Sequence, residues 1–106
     1  MARIWRGWTT VANADAYQTV VHGEVLPAIF DRQIPGLVGA HLMRADLVED
    51  EEVEFTTVMW FESLESVKNF MGDDYRRSHV PENARAVLKR FDAEAKHFHL
   101  IDFFPS

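Results

Sequence analysis

The segment Val53–Phe61 constrains the fold most, because it is predicted as a β-strand that is apolar on both faces. Side chains alternate across a strand, so Phe55 projects to one side of the sheet and Val58 and Trp60 to the other. A strand with one solvent-exposed face would alternate apolar and polar residues strictly along its length. The sheet that contains this strand therefore needs an apolar cover on each side.

The order of the predicted elements is β-α-β-β-α-β, with a short extra helix before the last strand. The strands are predicted over Ala2–Thr9, Leu37–Leu47, Val53–Phe61 and Ala95–Phe104, and the helices between Asn13 and Arg32, between Ser63 and Gly72, and from Ala84 to Phe91. Pro27 should kink or divide the first helix. The order predicts an α+β class, specifically a ferredoxin-like split β-α-β with a four-stranded antiparallel sheet, in a single domain spanning residues 1–106.

The helices of that arrangement cover only one face of the sheet, and the other face is predicted to be apolar as well. Alternation places Leu37 and Met43 opposite Val38 and Leu42 in the second strand. In the last strand it places one apolar set opposite another, namely Ile101 and Phe103 opposite Phe98, Leu100 and Phe104. Burying each large side chain is worth roughly 1.5–3 kcal/mol. We therefore expect a homodimer that packs sheet on sheet.

Composition excludes several classes of function. The chain of 106 residues has no cysteine, which excludes disulfides, thiolate nucleophiles and cysteine metal sites. Its net charge of −6 disfavours nucleic-acid binding, which needs a basic surface. No apolar run is long enough for a membrane span or a signal peptide. We expect a cytoplasmic protein without a nucleic-acid or membrane partner.

Histidines and one tryptophan are the residues best suited to chemistry. Trp60 is either a pocket residue or part of the core. His79, just before Val80-Pro81, is either a base or ligand at a pocket mouth or an exposed loop residue. His41 is either a hydrogen-bond partner for a phenolate or a histidine of the sheet whose ring hydrogen-bonds within the protein. His97 and His99 share a strand face, but no third ligand accompanies them, so we predict no metal site.

Four further residues are candidates for contact with a substrate. Arg6 lies on a strand and would orient an anion if it points into a cavity, or serve as a surface charge if it does not. Tyr75 and Phe70 lie where the second helix ends and are suited to a pocket wall, although packing explains Phe70 equally well. Trp5 is a weaker candidate, because strand tryptophans mostly serve packing and dimer contact.

The chain resembles the antibiotic biosynthesis monooxygenase family, whose members are dimeric α+β barrels. The resemblance spans nearly the whole chain and is carried by these segments: Ile4-Trp5-Arg6-Gly7-Trp8-Thr9, Glu24-Val25-Leu26-Pro27, Ile34-Pro35-Gly36, Gly39-Ala40-His41, Val53-Glu54-Phe55, Val58-Met59-Trp60-Phe61, Asp74-Tyr75, Val80-Pro81, Arg90-Phe91-Asp92 and His97-Phe98.

The resemblance implies oxidation of polycyclic phenols by molecular oxygen without a cofactor. In such enzymes the deprotonated substrate supplies electrons to oxygen, and the protein provides an apolar pocket and a base. Trp60 resembles a tryptophan implicated in those enzymes. Thr56 stands where they have an asparagine.

The family's haem-degrading branch is similar around Asp74–His79, with His79 near its iron-ligating histidine. That branch also has an asparagine in the first strand and a tryptophan late in the second helix. This chain has Gly7 or Trp5 at the first position and Phe70 at the second.

These observations lead to one functional expectation and two alternatives. We expect a cofactor-independent monooxygenase acting on an apolar aromatic molecule. Its predicted catalytic residues are Trp60, His79 and His41, and its predicted substrate-binding residues are Arg6, Tyr75, Phe70 and Trp5. The alternatives are a non-catalytic dimer that binds an apolar metabolite, and a haem-binding or haem-degrading protein.

Overall fold

The protein is an α+β domain, and the computed structural model describes all residues from Met1 to Ser106. The strands are β1 (Ala2–Thr10), β2 (Leu37–Arg44), β3 (Glu52–Phe61), β4 (Arg90–Phe91) and β5 (Lys96–Phe98), and the helices are α1 (Ala14–Val20), α2 (Leu26–Asp31), α3 (Leu64–Met71) and α4 (Glu82–Arg85). None of these helices has the length and apolar character that crossing a bilayer requires.

The strands form one antiparallel sheet in the order β2-β3-β1-β4, with β5 also paired to β1. The predicted four strands are thus five, and the prediction of a last strand over Ala95–Phe104 is wrong in extent. Phe91 pairs with Gly7 and Phe98 pairs with Ala2. Ala2 is the first residue of β1, and residues 99–106, which follow Phe98, have no regular structure.

The first helical region is divided near Pro27, as the sequence predicts. A wider π-helical turn, Val21–Val25, separates α1 from α2, and Pro27 lies in the first turn of α2. Proline has no N–H for the bond to the fourth preceding carbonyl, so the hydrogen-bond pattern changes immediately before it. The helix predicted to include Ala84, Val87, Leu88 and Phe91 spans only Glu82–Arg85, directly after Pro81. The prediction for Phe91 is wrong, because Phe91 lies in β4 and pairs with Gly7.

Capping residues fix both ends of α3. The backbone N–H of Ser66 donates to the hydroxyl of Ser63 at 3.2 Å. Gly72 ends the helix with φ +81°, a conformation that costs glycine little. The sequence predicts both ends.

The helices pack on one face of the sheet and bury the core there. The strand residues Val53, Phe55, Met59 and Phe61 contribute to it with the helix residues Tyr17, Val21, Ile29, Val67 and Phe70. A bulge between Leu37 and Gly39 changes the alternation in β2. Leu37 and Leu42 therefore both pack toward the core, and the prediction that they lie on opposite faces is wrong.

The other face of the sheet is not covered by any element of the chain and mixes apolar with charged residues. Met43 and Phe98 are 48% and 47% exposed. Arg6 lies on the same face and pairs with Asp92 at 2.9 Å. Further apolar side chains of the C-terminal segment are also exposed: Leu100, Ile101, Phe103 and Phe104.

Candidate functional site

A cavity of about 50 Å³ lies between the helices and the covered face of the sheet. Most of its walls are hydrophobic. The residues lining it are Arg3, Trp5, Tyr17, Val21, Val25, Leu26, Ile29, Thr57, Met59, Phe70, His79, Val80, Pro81 and Ala84. Its polar groups include the Arg3 guanidinium, the hydroxyls of Tyr17 and Thr57 and the His79 imidazole, and of these the guanidinium, the tyrosine hydroxyl and the imidazole are suited to bind or deprotonate a phenol.

Arg3 is the charged group in the cavity wall, and it is almost completely buried, with 3% of its surface exposed. Its Nη1 donates to the Tyr75 carbonyl at 2.5 Å and to His97 Nε2 at 3.1 Å, and its Nη2 donates to the Arg77 carbonyl at 2.8 Å. No carboxylate pairs with this guanidinium. Burial lowers the pKa of Arg3 to about 10, so the group is still charged near neutral pH.

A guanidinium has five N–H donors, and the three contacts of Arg3 leave Nε–H and one Nη2–H without a partner in the chain. Arg3 thus brings an uncompensated positive charge and unused N–H donors to the cavity wall.

Tyr17 is the second polar group, and it is 1% exposed. Helix α1 holds its ring edge-on to Phe55, with 4.8 Å between the ring centroids. No group of the chain hydrogen-bonds to its hydroxyl, and the side chain lines the cavity. Burial raises the pKa of Tyr17 to about 12, so the hydroxyl stays protonated and is able to donate a hydrogen bond.

His79 forms part of the wall between the cavity and the outside, because it also lines two surface clefts. Its ring packs edge-on against Phe70 at a centroid distance of 5.1 Å. His79 lies in a loop and is exposed by surface area. Desolvation of the inner part of its ring still lowers the pKa of His79 below its ordinary value, and the positive charges of Arg32, Arg3 and Arg77 lower it further. The imidazole is therefore neutral at pH 7 and able to accept a proton.

Trp5 lines the cavity beside these groups and is held in place by hydrogen bonds. Its indole N–H donates to the Ser78 hydroxyl at 2.9 Å and to the Asp92 carbonyl at 2.8 Å. These bonds, with those of Arg3, fasten the irregular segment before α4 to strand β1. The segment that contains His79 is thus positioned by two side chains of one strand.

The structure brings three of the predicted site residues together and places four elsewhere. Trp5, Phe70 and His79 line the cavity. The ring of Tyr75 packs against His97 at 5.2 Å, outside the cavity, although its carbonyl bonds Arg3. The other three predicted residues, Arg6, Trp60 and His41, lie on the uncovered face.

On that face Trp60 and His41 contact each other. The indole N–H of Trp60 donates to Nδ1 of His41 at 3.1 Å. Because side chains of successive residues point to opposite faces, Met59 enters the cavity and Trp60 does not. The sheet therefore separates this pair from the cavity within one subunit.

Sequence reasoning missed Arg3 and Tyr17 as site residues. Tyr17 fits the apolar stripe of the first helix, and nothing in a sequence shows whether the hydroxyl of such a residue has a partner. A signal for Arg3 does exist, since it is two residues from Trp5, a predicted site residue, and must share its face. That face of the first strand has no acidic residue at alternate positions to pair with the arginine.

The chain has no group of three or more His, Asp or Glu side chains able to hold a metal ion. His97, one of the two histidines considered for chelation, accepts a hydrogen bond from Arg3 at Nε2. Burial, and then the positive charges of Arg3 and Arg76, lower the pKa of His97 to about 4.

No protein-family model and no curated protein sequence matches the chain.

Proposed function

We propose that the protein oxidises a phenolic aromatic molecule with molecular oxygen, binding it in the cavity between helices and sheet. One observation carries the proposal: a buried guanidinium without a carboxylate and a tyrosine hydroxyl without a hydrogen-bond partner in the chain line the same apolar cavity. A phenol matches both groups, because its ring suits apolar walls and its oxygen satisfies the two donors. The resemblance to cofactor-independent monooxygenases supports oxygen as the oxidant.

In this proposal each polar residue has a separate task. Tyr17 donates a hydrogen bond to the phenol oxygen, and Arg3 lowers the pKa of the phenol by favouring its anion. His79 accepts the phenol proton, because its imidazole is neutral. Its outward edge borders the surface clefts, so the proton passes from there to water.

The oxidation balances without a further reactant. The phenolate gives electrons to O₂, one oxygen atom replaces the hydrogen at the para carbon, and the other leaves as water. The product water takes up the para C–H hydrogen and one proton from the solvent, which replaces the phenol proton released through His79, and the phenol becomes a quinone. The apolar walls keep other water from the reactive intermediate.

The size of the cavity sets a condition on binding. An apolar cavity of about 150 Å³ accommodates benzene, and the cavity here measures about 50 Å³. A ring enters only if the wall around His79–Pro81, shared with the outer clefts, shifts outward. The same size excludes haem, so we derive no step through that group.

The uncovered face of the sheet supports the second part of the proposal, which is that two ferredoxin-like subunits pack sheet on sheet. Met43 and Phe98 are half exposed, and Trp60 and His41 lie beside them. In this arrangement Trp60 serves the interface. Substitution Met43→Glu should shift a dimer toward monomers in sedimentation equilibrium, whereas Val11→Glu, at an exposed apolar residue outside the sheet, should not.

Oxygen uptake with a panel of hydroxylated naphthalenes and anthracenes tests the proposed chemistry. We expect uptake of one O₂ per quinone formed, and a loss of at least tenfold in His79→Gln, in line with removal of a general base. The exposed tail variant His99→Gln is the matched control and should keep full activity. Stoichiometric binding without oxygen uptake would show a sequestering protein instead, and full activity of His79→Gln would remove the proposed base.

A further inference from the structure

The arginines that have no carboxylate partner are concentrated in one part of this protein. Arg6, Arg44 and Arg90 each form an ion pair with a carboxylate. The remaining arginines have no carboxylate partner, and they are Arg3, Arg32, Arg76, Arg77 and Arg85. All of these except Arg76 line the cavity or the cleft immediately outside it.

The outer cleft has a volume of about 510 Å³ and shares His79, Val80 and Pro81 with the cavity. Its charged residues are Arg32, Arg77 and Arg85, and no acidic side chain lines it.

The adjoining cleft contains one carboxylate, that of Glu24, which accepts a bond from Asn83 at 3.5 Å. A concentration of unpaired positive charge is unexpected on a chain whose net charge is −6. Charges of one sign lining a cleft raise the local concentration of ligands of the other sign.

The three arginine side chains of the outer cleft differ in how firmly contacts within the chain hold them in place. Arg32 donates to the Phe70 carbonyl at 3.0 Å and stacks on the Phe70 ring at 5.3 Å, so its position is fixed. Arg85 lies over the Phe91 ring at 5.4 Å. Arg77 makes no side-chain hydrogen bond or ion pair in the chain and remains free to reach a ligand. Guanidinium groups of this kind bind carboxylate or phosphate oxygens in pairs of hydrogen bonds.

We propose that the ligand carries a permanent negative group, a carboxylate or a phosphate ester, which binds in the outer cleft to Arg77 and Arg85 while its ring occupies the cavity. This inference rests on the proposed function for the position of the ring. It adds the class of the ligand: an anionic aromatic molecule rather than a neutral phenol. Arg3 meets the phenolic end inside, and the outer arginines meet the anionic end.

Calorimetric titration with matched naphthalenes separates the two ends of the ligand. The probes are 6-hydroxy-2-naphthoic acid, its methyl ester, and the phosphate monoester of 2,6-dihydroxynaphthalene. We expect the acid or the phosphate ester to bind at least about tenfold more tightly than the methyl ester, as charge-assisted hydrogen bonds imply. Whichever binds more tightly identifies the source of the charge.

The double variant Arg77→Gln/Arg85→Gln should reduce that preference to less than about twofold while leaving the affinity of the ester unchanged. Arg76→Gln is the matched control, because Arg76 is also unpaired but lines a different cleft. It should keep the preference. Raising NaCl to 0.5 M should weaken the anionic probes alone, because salt screens exposed charges.

The outcomes separate this inference from the proposed function. Equal binding of acid, phosphate and ester would overturn the anionic class and leave the ring site intact. A preference for the anionic probes that survives in the double variant would place the negative group elsewhere and overturn the assignment to Arg77 and Arg85. Absence of binding by all probes would overturn both proposals, because the ring would then have no site.

Discussion

Replacement of Tyr17 by phenylalanine tests the reasoning about the cavity most sharply, because it should change stability and ligand binding in opposite directions. The residue is 1% exposed, and its hydroxyl hydrogen-bonds to no group of the chain but borders the cavity. Loss of hydration without a protein partner costs a polar group about 1–3 kcal/mol, and the lower end applies here because the hydroxyl borders the cavity and is not packed on every side. Tyr17→Phe removes that cost and keeps the ring contact with Phe55.

We expect Tyr17→Phe to raise the free energy of unfolding by about 1 kcal/mol, the lower end of that range. For a domain of about 100 residues this corresponds to an increase in Tm of about 4–8 °C. Urea denaturation followed by circular dichroism at one fixed protein concentration measures it. Tyr75→Phe is the control, and its effect should stay within about 0.5 kcal/mol, as for surface changes generally.

Alkaline pH gives a second measurement on the same pair of proteins. The pKa of Tyr17 is raised from 10.0 to about 12, so the unfolded chain loses this proton first. The contribution of Tyr17 to stability therefore falls between pH 10 and pH 12, by about 2–3 kcal/mol at 1.36 kcal/mol for each pH unit. Arg3, with a pKa lowered to about 10, opposes this trend in both proteins, so their difference isolates Tyr17.

Binding should respond in the other direction. Tyr17→Phe should weaken the affinity for a phenolic ligand by about tenfold, the value of one good hydrogen bond. A variant that is destabilised by 1 kcal/mol or more would refute the reasoning, because it would mean that the hydroxyl has a partner in the folded chain. Unchanged ligand affinity would equally remove Tyr17 from the site.

Three further predictions concern other parts of the molecule. The pKa of His97 is lowered to about 4 in the folded protein, so the unfolded chain binds a proton first as the pH falls below 6.5. The free energy of unfolding should therefore drop by about 1–2 kcal/mol between pH 6.5 and pH 4, after allowance for solvent screening. His97→Gln should flatten this pH dependence in urea titrations. Gly36→Ala should lower the free energy of unfolding by about 2–4 kcal/mol, because φ is +85° and a Cβ would lie 1.8 Å from Ser66 Oγ. Gly23→Ala is the control: a Cβ there has no atom within 4 Å, so thermal melts should show a neutral or stabilising effect. The acid limb of the pH profile of kcat/KM should have its midpoint below pH 6.5, since burial and three arginines lower the pKa of His79. Arg77→Gln should move that midpoint upward. A midpoint at or above pH 6.5 in the unmodified protein would argue against His79 as the base.

Most of the fold follows from local patterns in the sequence. The apolar, β-branched and aromatic residues of Val53–Phe61 identify β3 within one residue, since the strand runs from Glu52 to Phe61. Ser63 and Gly72 mark the ends of α3 because capping and positive φ are properties of single residues. Pro27 marks the division of the first helix for the same reason.

The errors arise where distant residues decide the structure. The bulge after Leu37 depends on pairing with Phe61, and alternation within β2 does not reveal it. The last strand spans Lys96–Phe98, and Phe98 pairs with Ala2, the first residue of β1. The mostly apolar segment 98–104 contains no local sign of where its pairing with β1 stops.

The candidate site was predictable only in part for a related reason. Residue type identified His79, Trp5 and Phe70, and all three line the cavity. The importance of Arg3 and Tyr17 comes from what they lack, namely a carboxylate and a hydrogen-bond partner. Those absences are visible only when every neighbour of a side chain is in place.

The most direct test of the cavity as a ligand site uses ¹³C-methyl-labelled methionine and NMR. Met59 lines the cavity, whereas Met43 lies on the uncovered face of the sheet. On titration with 6-hydroxy-2-naphthoic acid, we predict a large shift of the Met59 methyl signal and nuclear Overhauser contacts from it to the ring protons, with Met43 unmoved. Contacts to Met43 instead of Met59 would contradict the account, because the ligand would then lie on the other side of the sheet.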